Sequence, residues 1–125
     1  MLDKRPRFLN LTQISFPITA IASICQRISG VVLFLGIPVI LYFVQQSLTD
    51  INEFNQIRNS LYVNLWLKLA ILIYMAALVF HVIGGLRHLI MDIGYLEELC
   101  VAKFTSWLTF ILTVLVLIPV AYWLL

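Results

Sequence analysis

Residues Phe104 to Leu125 read FTSWLTFILTVLVLIPVAYWLL, 22 residues without a charged side chain. Wound as an α-helix at 1.5 Å per residue, such a tract reaches about 33 Å, enough to cross a hydrocarbon core of roughly 30 Å. Two more charge-free tracts precede it, Ile28 to Thr49 and Leu69 to Leu86. The middle one is bounded by Lys68 and Arg87. Lys68 can snorkel to the interface, and the apolar pattern begins upstream at Leu61 to Trp66, so the spacing predicts a helix starting near Leu61. The predicted spans are about 24–48, 61–90 and 104–125. Backbone groups in hydrocarbon need internal partners, and these tracts are too long for barrel strands. The predicted fold is therefore an all-α membrane protein with three transmembrane helices. Ile51 to Ser60 reads as a short external loop, and Asp92 to Lys103 as a second loop. Helices joined so tightly are antiparallel neighbours, which predicts an up-down-up bundle forming a single membrane-anchor domain over residues 1–125.

Composition agrees. Of 125 residues, 62% are hydrophobic and 11% charged, against roughly 25% charged in a soluble domain. Eight basic and six acidic side chains, for a net charge of +2, are too few and too scattered to grip a polyphosphate backbone. No nucleic-acid partner is expected. Cys25 and Cys100 form no metal or disulfide spacing. Pro38 and Pro119 lie inside spans, where lipid-embedded helices tolerate them. Trp66, Trp107 and Trp123, with Tyr42, Tyr62 and Tyr122, fall toward span ends as an interfacial belt. Ala20-Ile21-Ala22 looks like a signal-peptidase site, but Asn10, Thr12, Gln13, Ser15 and Pro17 interrupt any apolar stretch before it, and no cleavage is expected.

The chemistry-bearing segment runs from Phe80 to Asp92, FHVIGGLRHLIMD. Residues seven apart on a helix differ by about 20° in direction and about 10 Å in height, so His81 and His88 share one face. Gly84 and Gly85 lie between them. An imidazole inside a membrane is costly without a partner. Two readings fit. His81 ligates a haem iron, with the glycines clearing a surface for the macrocycle and basic groups nearer water meeting its propionates. Alternatively, His81 hydrogen-bonds across helices and the glycines form a packing notch. With one deep histidine, a bis-histidine haem would take its second ligand from another chain. At the start of the first span, Ser23 and Arg27 are four apart and share a face. A hydroxyl and a guanidinium there could orient a carbonyl-bearing lipophile such as a quinone, or Arg27 could anchor lipid phosphates. No nucleophile with its base, phosphate-cradling glycine loop or cluster of metal carboxylates is visible.

At these two segments the chain resembles the cytochrome b556 subunits of bacterial succinate dehydrogenase, the larger membrane anchors of respiratory complex II. The resemblance is carried by Arg5-Pro6, by Phe16 through Ile24, by Arg27-Ile28-Ser29-Gly30, and by Gly94-Tyr95-Leu96-Glu97-Glu98. Its most specific element is His-x3-Gly-x-Arg-His-x3-Asp-x-Gly, complete from His81 to Gly94. The resemblance implies that His81 is an axial ligand of haem b, the other ligand coming from a second, smaller membrane-anchor subunit. It implies that Ser23 and Arg27 belong to a ubiquinone site shared with the iron–sulfur subunit and the small anchor, and that Arg27 and His88 lie near the haem propionates. A flavoprotein subunit would oxidise succinate, and the assembled complex, in the bacterial inner membrane, would be the succinate:ubiquinone oxidoreductase. A non-catalytic anchor with structural haem and a fumarate-reducing relative are the alternatives. One departure stands out: the family usually has His-Arg where this chain has Gln26-Arg27. Glutamine cannot become cationic, so position 26 cannot neutralise propionate charge as that histidine would.

Orientation follows from the basic residues. Lys4, Arg5, Arg7 and Arg27 precede or open the first span, and Arg87 and Lys103 bound the second loop on the same side, whereas Arg58 and Lys68 lie on the other. The positive-inside rule places the N-terminus in the cytoplasm and the C-terminus in the periplasm. Both cysteines then face the reducing side. A reporter fused after Leu125 is expected to be active only when periplasmic, and activity confined to the cytoplasm would reverse this topology.

Overall fold

Residues 17–95 and 98–125 are described by the structure, a computed structural model. Lys4, Arg5, Arg7 and the Arg5-Pro6 and Phe16 portions of the sequence pattern lie outside the described residues, as do Leu96 and Glu97. Four helices follow in order: α1 (Ile18–Ser47), α2 (Ile51–Val63), α3 (Leu65–Asp92) and α4 (Leu99–Leu124). Among the described residues there is no strand. Helices α1, α3 and α4 are each long and apolar enough to cross a membrane, so the expected all-α, three-span membrane bundle is present.

The helix limits differ from those expected. Helix α1 begins at Ile18 rather than near 24, where the Pro17 carbonyl accepts from the amides of Ala20 and Ile21 at 2.9 and 3.2 Å. Its 30 residues reach about 45 Å, so its ends extend past the hydrocarbon. Helix α4 starts at Leu99, ahead of Lys103, because a helix can carry a snorkelling lysine in its first turns.

The larger correction is α2. The segment expected to be a loop from Ile51 to Ser60 is helical through Val63, and Leu61 belongs to it rather than to the second span. Asp50, with extended backbone, caps this helix through Oδ1, which accepts from the Ile51 amide at 2.7 Å, while Oδ2 accepts from Asn52 Nδ2 at 2.9 Å. Asn64 then ends one helix and starts the next. Its amide donates to the Ser60 carbonyl at 2.9 Å, and its Oδ1 accepts from the amides of Trp66 and Leu67 at 3.0 and 3.4 Å. An extended residue that caps in both directions makes a sharp break, so the second span starts at Leu65.

Helices α1 and α3 run antiparallel along a seam. On α1 the facing positions are Ala22, Gln26, Ser29 with Gly30, Leu33 and Gly36, alternating by four and three as helix packing requires. Tyr74 of α3 closes one end: its hydroxyl donates to the Leu33 carbonyl at 3.3 Å, and its ring occupies the space a side chain at Gly36 would need. Helix α4 packs against α3 and touches α1. Its buried stripe is Ala102, Ser106, Thr109 and Thr113. Each hydroxyl of this stripe donates to a carbonyl four residues back, at 2.8 to 2.9 Å, so small polar side chains sit between helices with no unpaired proton. Phe80 and Phe110 meet across the same contact with centroids 5.1 Å apart and ring planes tilted by 44°.

At the other end of α3, Ile93 and Gly94 stop the helix. The Gly94 amide donates to Met91 O at 2.9 Å and the Tyr95 amide to Ile90 O at 3.3 Å, with Gly94 at φ +92°. This is a Schellman closure, and the left-handed residue inside it favours glycine. Where α3 begins, Lys68 Nζ lies 3.4 Å from the Leu125 carbonyl, answering the negative end of α4. Five of the six aromatics expected to form a belt, Tyr42, Tyr62, Trp66, Tyr122 and Trp123, gather at this end with their rings exposed.

Candidate functional site

His81 lies within α3 about 16 Å along the axis from Asp92, deep in the apolar span. One turn of α1 grips it at three points. Gln26 Nε2 donates to the His81 carbonyl at 3.0 Å. The His81 Nδ1 is 2.9 Å from Ser29 Oγ and 3.2 Å from the Gln26 carbonyl. Ser29 Oγ in turn donates to the Gln26 carbonyl at 2.7 Å. A carbonyl oxygen only accepts, so its closeness to Nδ1 is favourable when that nitrogen carries the proton. The other ring nitrogen, Nε2, then holds a free lone pair. It has no hydrogen-bond partner among the described residues.

Glycines make this grip possible. A Cβ at Gly30 would lie 3.1 Å from His81 Cε1, tighter than ordinary contact, so the missing side chain lets the imidazole lie close to the α1 backbone. A Cβ at Gly84 would run into Gln26 Oε1. The Gly84 strip, read from the sequence as a clear surface for a macrocycle or as a notch, is a notch filled by Gln26. Gly85 is less tightly covered, with Gln26 Nε2 3.6 Å from where its Cβ would be. Gln26 Oε1 is buried without a partner among the described residues. Flipping the amide would set Oε1 against the His81 carbonyl, two acceptors face to face, so the unpaired atom is the lesser cost.

The contacts of Gln26 with Gly84 and of Gly30 with His81 fix the antiparallel register and bring Ser23 level with Arg87 and His88. Ser23 is half-buried, Arg27 exposed and His88 half-buried. The three occupy one end of the α1–α3 pair, and none hydrogen-bonds to another. Arg87 does not join them. It is 7% exposed and turned toward α4, donating from Nε to Thr105 Oγ1 at 3.0 Å and from Nη2 to the Ala102 carbonyl at 3.2 Å. An apolar cavity of about 300 Å³ beside it is walled by Ile83, Leu86, Leu108 and Leu112, between α3 and α4. Of the basic groups near His81, Arg27 and His88 are thus left for an acidic ligand, while Arg87 ties two helices together. Spacing along α1 gives Ser29 no role. Its partner is 52 residues away, and only the helix pairing reveals it.

Comparison with known proteins bears on this arrangement. Residues 1–124 match the sequence model of the family described as succinate dehydrogenase/fumarate reductase transmembrane subunit. The chain is 36% identical over 123 residues to a succinate dehydrogenase cytochrome b556 subunit of Coxiella burnetii, covering 98% of both chains. It is 37% identical over 92 residues to the protein of the same name from Paracoccus denitrificans, covering 73% of this chain and 69% of that one. To its Rickettsia typhi counterpart it is 27% identical over 113 residues, 90% and 87% of the two chains.

The notch yields a differential prediction. Gly84→Ala must displace the Gln26 side chain and break its bond to the His81 carbonyl, at an expected cost of about 1 to 3 kcal/mol. Gly85→Ala meets only ordinary contact and should stay near the parent. Thermal melts of the detergent-solubilised protein check this, and equal melting of the two variants would remove the notch as a determinant of stability.

Proposed function

The chain belongs to the succinate dehydrogenase/fumarate reductase transmembrane subunit family, and from that membership we propose that it binds haem b and ubiquinone as the larger membrane anchor of a succinate:ubiquinone oxidoreductase. The observation that carries the haem assignment is the His81 ring: Nδ1 is engaged by Ser29 and the Gln26 carbonyl, which leaves Nε2 as a ligand atom within an apolar span. The residues present fit one ligand position: His81 would supply one nitrogen to the haem iron. The chain has two histidines, and His88, two turns further along the same helix and about 10 Å away, would not supply another to the same iron. The second ligand is assigned to a smaller anchor subunit seated beside this chain. Arg27 and His88, at the Ser23 end of the bundle, would meet the propionates. Bound haem supplies a one-electron carrier within the membrane.

Ubiquinone is assigned to the flank of α1 that bears Ser23 and Arg27. Arg27 is a cation without a hydrogen-bond partner among the described residues, exposed beside a half-buried hydroxyl. A quinone carbonyl placed there would accept from a neutral and a charged donor, and charge developing on the ring during reduction strengthens the second more than the first. The flank is open in this chain alone, so the iron–sulfur subunit and the small anchor would close it, with the flavoprotein subunit oxidising succinate beyond them. With the N-terminus cytoplasmic, this end of the bundle faces the cytoplasm, where those subunits would dock. Exposure of Arg27 also suits a purely structural anchor in which it holds lipid phosphate.

Two sets of variants separate these readings in the assembled complex. His81→Leu should alter the haem spectrum or lower its occupancy. Unchanged haem content, spectrum and potential would remove His81 as a ligand. Ser23→Ala should slow ubiquinone reduction about two- to tenfold and Arg27→Ala about ten- to a hundredfold, from hydrogen bonds of roughly 0.5–1.5 and 1.5–3 kcal/mol. Succinate-dependent reduction of an artificial dye accepted upstream should remain largely intact. Equal loss of both activities with normal assembly would count against the quinone role, and loss of assembly would favour the structural anchor.

A further inference from the structure

The two oxygen atoms around His81 Nδ1, Ser29 Oγ and the Gln26 carbonyl, admit one consistent assignment of protons. Ser29 Oγ lies 2.7 Å from the Gln26 carbonyl and has one proton, which it donates there. Facing Nδ1 at 2.9 Å, the same oxygen can then only accept. The Gln26 carbonyl, 3.2 Å from Nδ1, also only accepts. Both contacts are favourable together when Nδ1 carries the proton and shares it between them. The opposite assignment, with Ser29 donating to a bare Nδ1, would set that lone pair against the Gln26 carbonyl in an apolar region where no water relieves the repulsion. Ser29 is 5% exposed, so its hydroxyl has little competition from solvent.

We propose that Ser29 is a positioning residue for the haem ligand: its hydroxyl, backed by the Gln26 carbonyl, holds the proton on His81 Nδ1 and orients the Nε2 lone pair for iron. This rests on the haem reading of His81. Ser29 stands one helical turn after Gln26, so a single turn of α1 supplies the carbonyl that polarises the hydroxyl and the hydroxyl that accepts from the ring. Gly30, the next residue, leaves the space that lets the ring come this close. The Gln26 side chain holds the backbone carbonyl of the same histidine, so neither the peptide nor the ring of His81 can turn without losing a bond to α1. Accepting from Nδ1–H makes the imidazole a stronger donor through Nε2, which favours ferric over ferrous iron.

The test uses the assembled complex with Ser29→Ala and Ser29→Thr, read by haem midpoint potential, the low-spin ferric resonance spectrum and haem dissociation. In Ser29→Ala the shorter of the two Nδ1 bonds is gone. The potential should rise, the ferric spectrum should shift, and dissociation should quicken about tenfold, the lower end of what losing such a partner costs a metal site. Ser29→Thr keeps a hydroxyl that can reach the carbonyl of the preceding turn, and should hold all three near the parent. Parent-like potential and spectrum in Ser29→Ala would overturn the proposal, as would equal shifts in both variants, which would mark a packing role. If His81→Leu in the same complex leaves haem unchanged, it is the haem assignment itself that fails, and the two failures are thereby distinguished.

Discussion

An imidazole in the middle of an apolar helix has no water to bond to, so the protein must pair it, and the pairing of His81 with one turn of α1 determines how the rest of the bundle meets. Gln26 and Ser29 reach His81 only if α1 and α3 are antiparallel in one register, with Gly30 and Gly84 opposite the groups they accommodate. That register carries Tyr74 over Gly36 two turns away and brings Ser23 level with His88 at the other end. The polar grip, the glycine notches and the candidate quinone flank are consequences of one helix alignment.

The interior of this bundle is the reverse of a soluble core. The buried apolar residues among those described are Ala22, Phe80 and Ala102, whereas Ser29, Arg87, Ser106, Thr109 and Thr113 are all buried. Large aliphatic side chains cover the outside, because lipid is as apolar as leucine and burying them against another helix gains little. What remains to drive helices together is close packing at small residues and hydrogen bonds that lipid cannot offer. Arg87 shows the second of these, tied to Thr105 and the Ala102 carbonyl of α4. Arg27 shows the contrast. Next to Gln26 in the chain and so on the neighbouring flank of α1, it has no such partner and faces outward.

Helix α2 and its two caps place the ends of the spans. Asp50 and Asn64 are short polar residues at the points where helices must start, and each satisfies amides that would otherwise be orphaned near the membrane surface. The Schellman turn at Gly94 does the same for carbonyls at the opposite face of the bundle. The Asp-x-Gly that ends the long sequence pattern is thereby a helix stop. Its other end is His81, the residue that one turn of α1 grips.

Three spans, their approximate centres and the all-helical class were legible in the sequence, because charge-free tracts of membrane length have few other solutions in lipid. So were His81 as the deep polar residue and the shared face of Ser23 and Arg27, since those depend on spacing along one helix. Helix α2 has its own signal in the sequence: Asp50 followed three residues later by Glu53 is a capping pattern, with Ile51, Phe54, Ile57 and Leu61 at helical intervals behind it. The break at Asn64 was harder, because apolar residues continue on both sides and hydropathy does not register a change of direction. Which way Arg87 turns, what fills the Gly84 notch and which nitrogen of His81 stays free could not be read from spacing at all. Each depends on atoms that are 15 to 55 residues apart in the chain. They become neighbours only when the helices pair, and the need to satisfy polar groups without water then leaves them one arrangement.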